Sequence, residues 1–377
     1  MIKKSIAAEV EKPRVVADVD TGIDDSLALI YLAYLHSAGE IDLVVTTSAG
    51  NTTVGQAAVN SKEVLRLAGA PEVSVLAGAG KPLVLPLTTT PETHGKRGLG
   101  YYSPELEAGC GDAHEDVRGD VRAAVHGDAR AAVETWRGAT HILVAGPATN
   151  LAWALAHEPE AVGPAEITLM TGAFNYPGNT TPTAEWNAWV DPHALKAVFG
   201  GEASGESVAQ SVQSAQSVQR PLPVICPLNV TEQVLLHPPR LSRWQHAVRP
   251  SRPQLAALLG DTLRFYFEFH QSVGVGYCAQ IHDLAAAMVM LGRVPCSLYD
   301  ATVDVEADSP LMRGTTVADR VVDGGGGSVA AVRGDVDPAG ARGAYWNRPA
   351  NARILEALDP ADVFAEFEQV VCGFGAD

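Results

Sequence analysis

The chain has 377 residues, 46% of them hydrophobic and 19% charged, the ordinary mix of a water-soluble folded enzyme. Its formal net charge of −17 disfavours a nucleic-acid backbone or an anionic membrane surface as partner and suits a neutral small molecule or a cation. The five cysteines, Cys110, Cys226, Cys278, Cys296 and Cys372, are scattered and form no CxxC pair, so a reducing cytoplasm is expected rather than a disulfide framework or a structural zinc.

The opening residues MIKKSIAAEVEKP are charged and lack the apolar stretch of a signal peptide. No segment approaches the roughly 18 continuous apolar residues of a membrane span. Next, short β-branched runs alternate with helical patterns. Strands are predicted at Val15–Ala17, Leu43–Thr47, Val73–Leu76, His141–Ala145 and Ile167–Met170, and helices at Ser26–His36, Val54–Ala68, from Asn150, and at Pro192–Phe199. Helical patterns around Gln254–Gln271 and Ile281–Leu291, a strand at Thr302–Val305 and a helix at Pro360–Val371 close the chain. Such alternation predicts an α/β fold with a mostly parallel, Rossmann-like central sheet flanked by helices. Residues 109–130, 200–220 and 323–328 break the pattern with Gly-, Ala-, Asp-, Ser- or Gln-rich sequence and read as insertions in one domain spanning 1–377.

The first strand runs into VVADVDTGIDD, which places Asp18, Asp20, Asp24 and Asp25 close together. Like charges so close repel unless a cation lies between them. A helix cap accounts for one or two of them. It does not account for Asp18 and Asp20, which period-two spacing puts on one side of the strand. In doubly wound sheets, ligands bind beyond the carboxyl ends of the strands, where this cluster lies. Gly22 supplies a permissive turn. With no His or Cys nearby, the donors are hard oxygens, which favours Ca²⁺ or Mg²⁺ over zinc. A DxD after a first strand also opens haloacid-dehalogenase-type phosphatases. Those usually carry Thr or Val where Gly22 stands, and their scheme leaves Asp24-Asp25 without a role.

Three distant segments add to this: GPATN at 146–150, GNTTPTAEWNAWVDP at 178–192, and the pair His282-Asp283. The second offers amides and a carboxylate suited to the hydroxyls of a polar ligand. Together, in this order, the four motifs resemble the inosine–uridine-preferring nucleoside hydrolase family, from Val15 to about Val371.

That resemblance implies hydrolysis of the N-glycosidic bond of ribonucleosides to ribose and a free base, with one Ca²⁺ as cofactor. It implies Asp20, Asp25, Asp283 and the main-chain carbonyl of Ala145 as metal ligands, with Asp20 also the base that deprotonates the attacking water. Thr21 stands where the family commonly has Pro. The resemblance further assigns the 2′- and 3′-hydroxyls to Asp24 and Asn187, the 5′-hydroxyl to Asn179 and Glu185, and the ribose and the orientation of Asp20 to Asn51. Asp18 becomes a support behind the ligands, Trp186 packs beneath the ribose, and His282 is the acid for the leaving base. His94, in the glycine-rich stretch THGKRGLG, reads as a base-side residue on a loop able to close over the substrate. Phe269, His270 and Tyr277 fall in the region that lines the base pocket, whereas Phe265 and Tyr266 suit the core equally well. A homodimer or homotetramer is implied, and base preference is not. A non-catalytic nucleoside- or ribose-binding protein is the alternative from another class.

Overall fold

The computed structural model describes residues 12–103, 127–200, 220–322, 342–343 and 345–373. The three expected insertions fall almost wholly outside these. Where the first ends, Asp128 already caps a helix, its carboxylate accepting from the N–H groups of Arg130 and Ala131.

Twelve strands are present among the described residues: β1 (Arg14–Val19), β2 (Asp42–Thr47), β3 (Val75–Ala77), β4 (His141–Val144), β5 (Glu166–Met170), β6 (Val224–Cys226), β7 (Leu235–Leu236), β8 (Ala279–Gln280), β9 (Cys296–Val305), β10 (Thr316–Val322), β11 (Arg342–Gly343) and β12 (Ala352–Leu358). Ten of them form one sheet in the order β3-β2-β1-β4-β5-β6-β12-β9-β10-β11, and β7 pairs with β8 apart from it. Neighbours from β3 to β12 are parallel, and β12–β9, β9–β10 and β10–β11 are antiparallel. The mostly parallel α/β expectation holds. The antiparallel edge had no counterpart in the sequence reading beyond Thr302–Val305, which is the end of the longer β9.

The helices are α1 (Ile23–Ser37), α2 (Val54–Ala68), α3 (Pro91–His94), α4 (Ala129–Glu134), α5 (Thr149–His157), α6 (Pro159–Val162), α7 (Trp186–Val190), α8 (Pro192–Val198), α9 (Leu228–Thr231), α10 (Pro238–Val248), α11 (Pro253–Ser272), α12 (Asp283–Met290) and α13 (Pro360–Cys372). Strand alternation divides β1 between two cores. Val15, Ala17 and Val19 pack with α1, α11, α12 and α13, while Val16 packs on the other face with Trp136, α5 and α8. Helix α1 is buried without interruption from Ile23 to Ala33, enclosed by α2, α11, α12 and α13.

β1 lies between β2 and β4, and from it the chain winds first toward β3 and then back toward β6. The carboxyl end of β1 is therefore the switch point of the sheet, where the diverging connections leave a crevice. Asp18 pairs in register with Thr46 on one side and Val144 on the other, which delivers the acidic cluster to that crevice.

Candidate active site

Gly22 caps α1, and the Asp25 carboxylate reaches back to accept its N–H at 2.8 Å. Asp24 and Asp25 thus occupy the first helical turn, where unpaired N–H groups and the helix dipole favour negative charge. The turn does not need a glycine for its dihedrals, since φ at Gly22 is −90°. It needs one for space: a Cβ there would sit 2.6 Å from His94 Nδ1 and 2.7 Å from Asn51 Nδ2.

Asp283 opens α12 against this turn. Oxygens of Asp24, Asp25 and Asp283 lie within 4.8 Å of one another, all three side chains buried. Asp24 and Asp283 lie close enough that, after burial, the charge of Asp24 helps raise Asp283, so ionising both without a cation between them is costly. Asp20 adjoins this set through its N–H, which donates to Asp25 Oδ1 at 3.3 Å. Its own carboxylate turns to Asn51, accepting the backbone N–H at 2.7 Å and Nδ2 at 3.0 Å. The same Nδ2 lies 3.2 Å from Asp25 Oδ2, so one amide spans both carboxylates. The oxygens gathered within that distance are those of Asp24, Asp25 and Asp283, while both oxygens of Asp20 are engaged by Asn51.

Burial and mutual repulsion dominate the electrostatics. Burial, then the charge of Asp25, raises Asp24 to about 8, and burial raises Asp25 to about 6 against its hydrogen bonds. Burial, followed by neighbouring carboxylates, holds Asp20 and Asp283 well above the usual range. No cationic side chain figures among the principal influences on these four. An all-oxygen, fully buried, charge-deficient donor set fits a hard divalent cation, which supplies the missing positive charge. Asn51 Oδ1 adds a buried acceptor with no protein partner.

Asp18 is separate from this set. Burial raises it to about 6, and its Oδ1 accepts from Thr46 Oγ1 and Asn150 Nδ2, each at 2.8 Å. Asn150 Nδ2 also donates to Thr47 O and its Oδ1 accepts from Ala79 N, so the pair ties the ends of β1, β2 and β3 together.

The carbonyl of Ala145 accepts from Asn187 Nδ2 at 2.7 Å, and that nitrogen also donates to Met170 O at 3.0 Å. Glu185 is the N-cap of α7. Its oxygens take N–H groups from Asn187, Ala188 and Gly172 and the hydroxyl of Thr171, against burial that raises its pKa. Asn179 is exposed, and its Oδ1 accepts from Trp186 N at 2.9 Å. The Trp186 ring stacks on Trp189 with centroids 5.6 Å apart, and its buried indole N–H has no protein acceptor.

Three buried histidines, His94, His270 and His282, lie close enough to influence one another. His94 Nδ1 accepts the N–H of Ile23 at 3.1 Å, which places its own proton on Nε2. His282 Nδ1 lies 2.9 Å from the hydroxyl of Thr231, which itself donates to Pro227 O, so Nδ1 carries the proton. His270 Nδ1 donates to Tyr266 O at 2.8 Å. Burial, then the neighbouring histidines, lowers His94 and His282 to about 3, so both are neutral near pH 7.

Phe269 stacks on Tyr266, whereas Tyr277 is an exposed ring against Phe267. Tyr266 is one of the two residues, with Phe265, that the sequence reading left ambiguous. Its ring lies 5.5 Å from His94 and 4.3 Å from His270, and after burial its hydroxyl is influenced most by Asp24, Asp283 and Asp25. The i, i+4 spacing of Tyr266 and His270 on one helix face was the available signal.

The family model described as inosine-uridine preferring nucleoside hydrolase matches residues 15–365. The chain belongs to that family. As a nucleoside hydrolase it is an enzyme acting on N-glycosyl bonds. It is 30% identical over 335 residues to the pyrimidine-specific ribonucleoside hydrolase RihA of Salmonella typhi, covering 86% of this chain and 94% of that protein. It is 28% identical over 311 residues to the inosine-uridine preferring nucleoside hydrolase of Crithidia fasciculata, covering 81% and 87%. Among solved structures, a purine-preferring ribonucleoside hydrolase from Gardnerella vaginalis shares the fold with a TM-score of 0.68 at 22% identity, covering 96% of this chain and 98% of that one. No helix among the described residues is long and apolar enough to cross a membrane.

Proposed function

We propose that this nucleoside hydrolase splits ribonucleosides into ribose and free base with Ca²⁺ held at the carboxyl end of β1. The observation that carries the reading is the convergence of Asp24, Asp25 and Asp283 from two distant helices, with Asp20 alongside. Asp20, Asp25, Asp283 and the carbonyl of Ala145 would hold the cation, and a bound Ca²⁺ lowers the cost of deprotonating a nearby water. Asp20, gripped at both oxygens by Asn51, takes that proton. Asp24 and Asn187 bind the 2′- and 3′-hydroxyls, Asn179 and Glu185 lie toward the 5′-hydroxyl, and Trp186 lies beneath the sugar. The buried carboxylates stabilise the positive charge that grows on the ribose as the bond to the base breaks.

His94 and His282 face the departing base. His282 starts neutral, so it acts as an acid only by drawing in a proton as negative charge gathers on the base. A cytoplasmic homo-oligomer of single-domain subunits completes the proposal.

The test is release of reducing sugar from inosine, uridine, cytidine, adenosine and guanosine, with Ca²⁺ and with chelator. Ribose release abolished by chelator supports the reading. Tight nucleoside binding without turnover, or phosphate release from a phosphomonoester, would replace it with the binding-protein or the phosphatase alternative.

A further inference from the structure

We infer that Asn60 is a positioning residue that holds the carboxylate turn and the segment carrying His94 in one register, an inference resting on the functional reading above. Asn60 lies on α2, is 3% exposed, and touches none of the carboxylates by hydrogen bond. Its Nδ2 donates to Thr21 O at 3.0 Å and to Arg97 O at 2.7 Å. Thr21 lies within the turn between Asp20 and Asp24, and Arg97 is three residues beyond His94. A single amide nitrogen therefore joins the metal side of the crevice to its base side. Its Oδ1 accepts from Gln56 Nε2 at 2.8 Å, one turn back on the same helix, which fixes which way the amide faces.

The neighbouring residues fit the same role. Thr21 Oγ1 lies 2.6 Å from Ser61 Oγ, and Ser61 donates to Ala57 O at 2.9 Å, so the Thr21 hydroxyl donates to Ser61. Thr21 stands where the resemblance expects Pro. A proline would stiffen the turn through its ring, and here a hydroxyl pair anchors the turn to α2 instead. Gly98 has φ of +83°, and a Cβ there would sit 2.8 Å from Asn60 Nδ2 and 3.0 Å from Thr21 O. Only glycine lets the three backbones meet around that amide.

The His94 segment is also tied by Tyr102 Oη to Glu63 of α2 at 2.7 Å, and by Tyr101 to Glu268 of α11. Its glycines allow close approach in this conformation: a Cβ at Gly100 would sit 2.7 Å from the Phe265 Cβ. His94 then buttresses the turn through Ile23 N–H, so displacement on one side is felt on the other.

The deciding variant is Asn60→Asp, which keeps the size but sets an acceptor against two carbonyl oxygens. Two readouts are taken on folded protein: Ca²⁺ affinity by calorimetry, and kcat for inosine or uridine relative to p-nitrophenyl riboside, whose leaving group needs no proton. The expected result is Ca²⁺ affinity weakened about 10-fold or more, with nucleoside turnover falling further than p-nitrophenyl riboside turnover. Thr21→Val should move both readouts the same way by a smaller factor, and it decides the matter if Asn60→Asp does not fold. A folded variant with wild-type Ca²⁺ affinity and an unchanged rate ratio overturns the inference, because a residue that only stabilises the fold would lower Tm alone. Failure of the underlying reading is visible separately, as a wild-type protein that neither binds Ca²⁺ nor releases ribose, and it takes the inference with it.

Discussion

Asp24 and Asp283 bring carboxylate oxygens within 4.8 Å of each other, one from the first turn of α1 and the other from the first residue of α12. Two buried acids in that relation need a shared proton or a cation. This choice makes stability, and not only activity, a report on the site.

Without Ca²⁺, stability should fall as pH rises. Asp24 in the folded state is raised to about 8 from an ordinary value of 3.8. The folded protein therefore binds a proton that the unfolded chain releases, and the sign is fixed: this stabilisation is full below about pH 4 and disappears as pH approaches 8. Asp25, raised to about 6, acts in the same direction over a narrower range. Thermal scans in chelator should show Tm decreasing from pH 5 to pH 8. Added Ca²⁺ should raise Tm by more at pH 8 than at pH 5, because it binds the ionised form. A Ca²⁺ shift that shrinks with pH would count against the site.

Asp20→Asn keeps the shape of the residue that Asn51 grips but removes its basicity. Turnover of all nucleosides should drop by about 10²–10⁴-fold, the range of a lost proton-transfer group, with an unaltered far-ultraviolet circular dichroism spectrum. Retention of a tenth of the activity would assign the base to another group.

Asn51→Ala should impair two properties at once, since Nδ2 lies between Asp20 and Asp25. Partners of this kind behind metal ligands affect affinity or activity by about 10–100-fold. Calcium titration together with steady-state kinetics checks both. A change confined to KM for nucleoside would instead indicate direct sugar contact through its unpartnered Oδ1.

Thr231→Val removes the hydroxyl that accepts from His282 Nδ1. If His282 serves the leaving base, His282→Ala and Thr231→Val should both slow nucleosides with poor leaving groups and spare p-nitrophenyl riboside. Equal losses across all leaving groups would remove His282 from that role.

The acidic turn was legible because its density of charge at a strand end has few explanations, and β1, α1, β2 and α2 follow from simple periodicity. Helix α2 begins and ends where it was expected, since Thr53 caps it and Gly69 at φ +90° stops it. The late antiparallel strands were not legible. Neither was the parallel β6, a run of only three residues; β11 is a two-residue edge strand, and β10 lies between it and β9. Within the site, residue types could be read but not their distribution of hydrogen bonds. Nothing in AEWN tells that Glu185 caps α7 with both oxygens, or that Asn187 reaches back to Ala145. Thr231 and Asn60 escaped because each lies on a helix face that is mostly core, where a polar atom aimed inward is invisible to spacing, and Tyr266 could not be told from core for the same reason despite its spacing to His270.

Helix α1 has no solvent-exposed flank from Ile23 to Ala33. Most helices can ease crowded charge at one end by tilting outward or fraying into water. This one is hemmed in on every side, so repulsion at its first turn has no local outlet and must load the whole molecule. Depletion of the cation should therefore expose the protein to proteases in a single cooperative step, with limited digestion in chelator yielding small fragments rather than a trimmed intermediate.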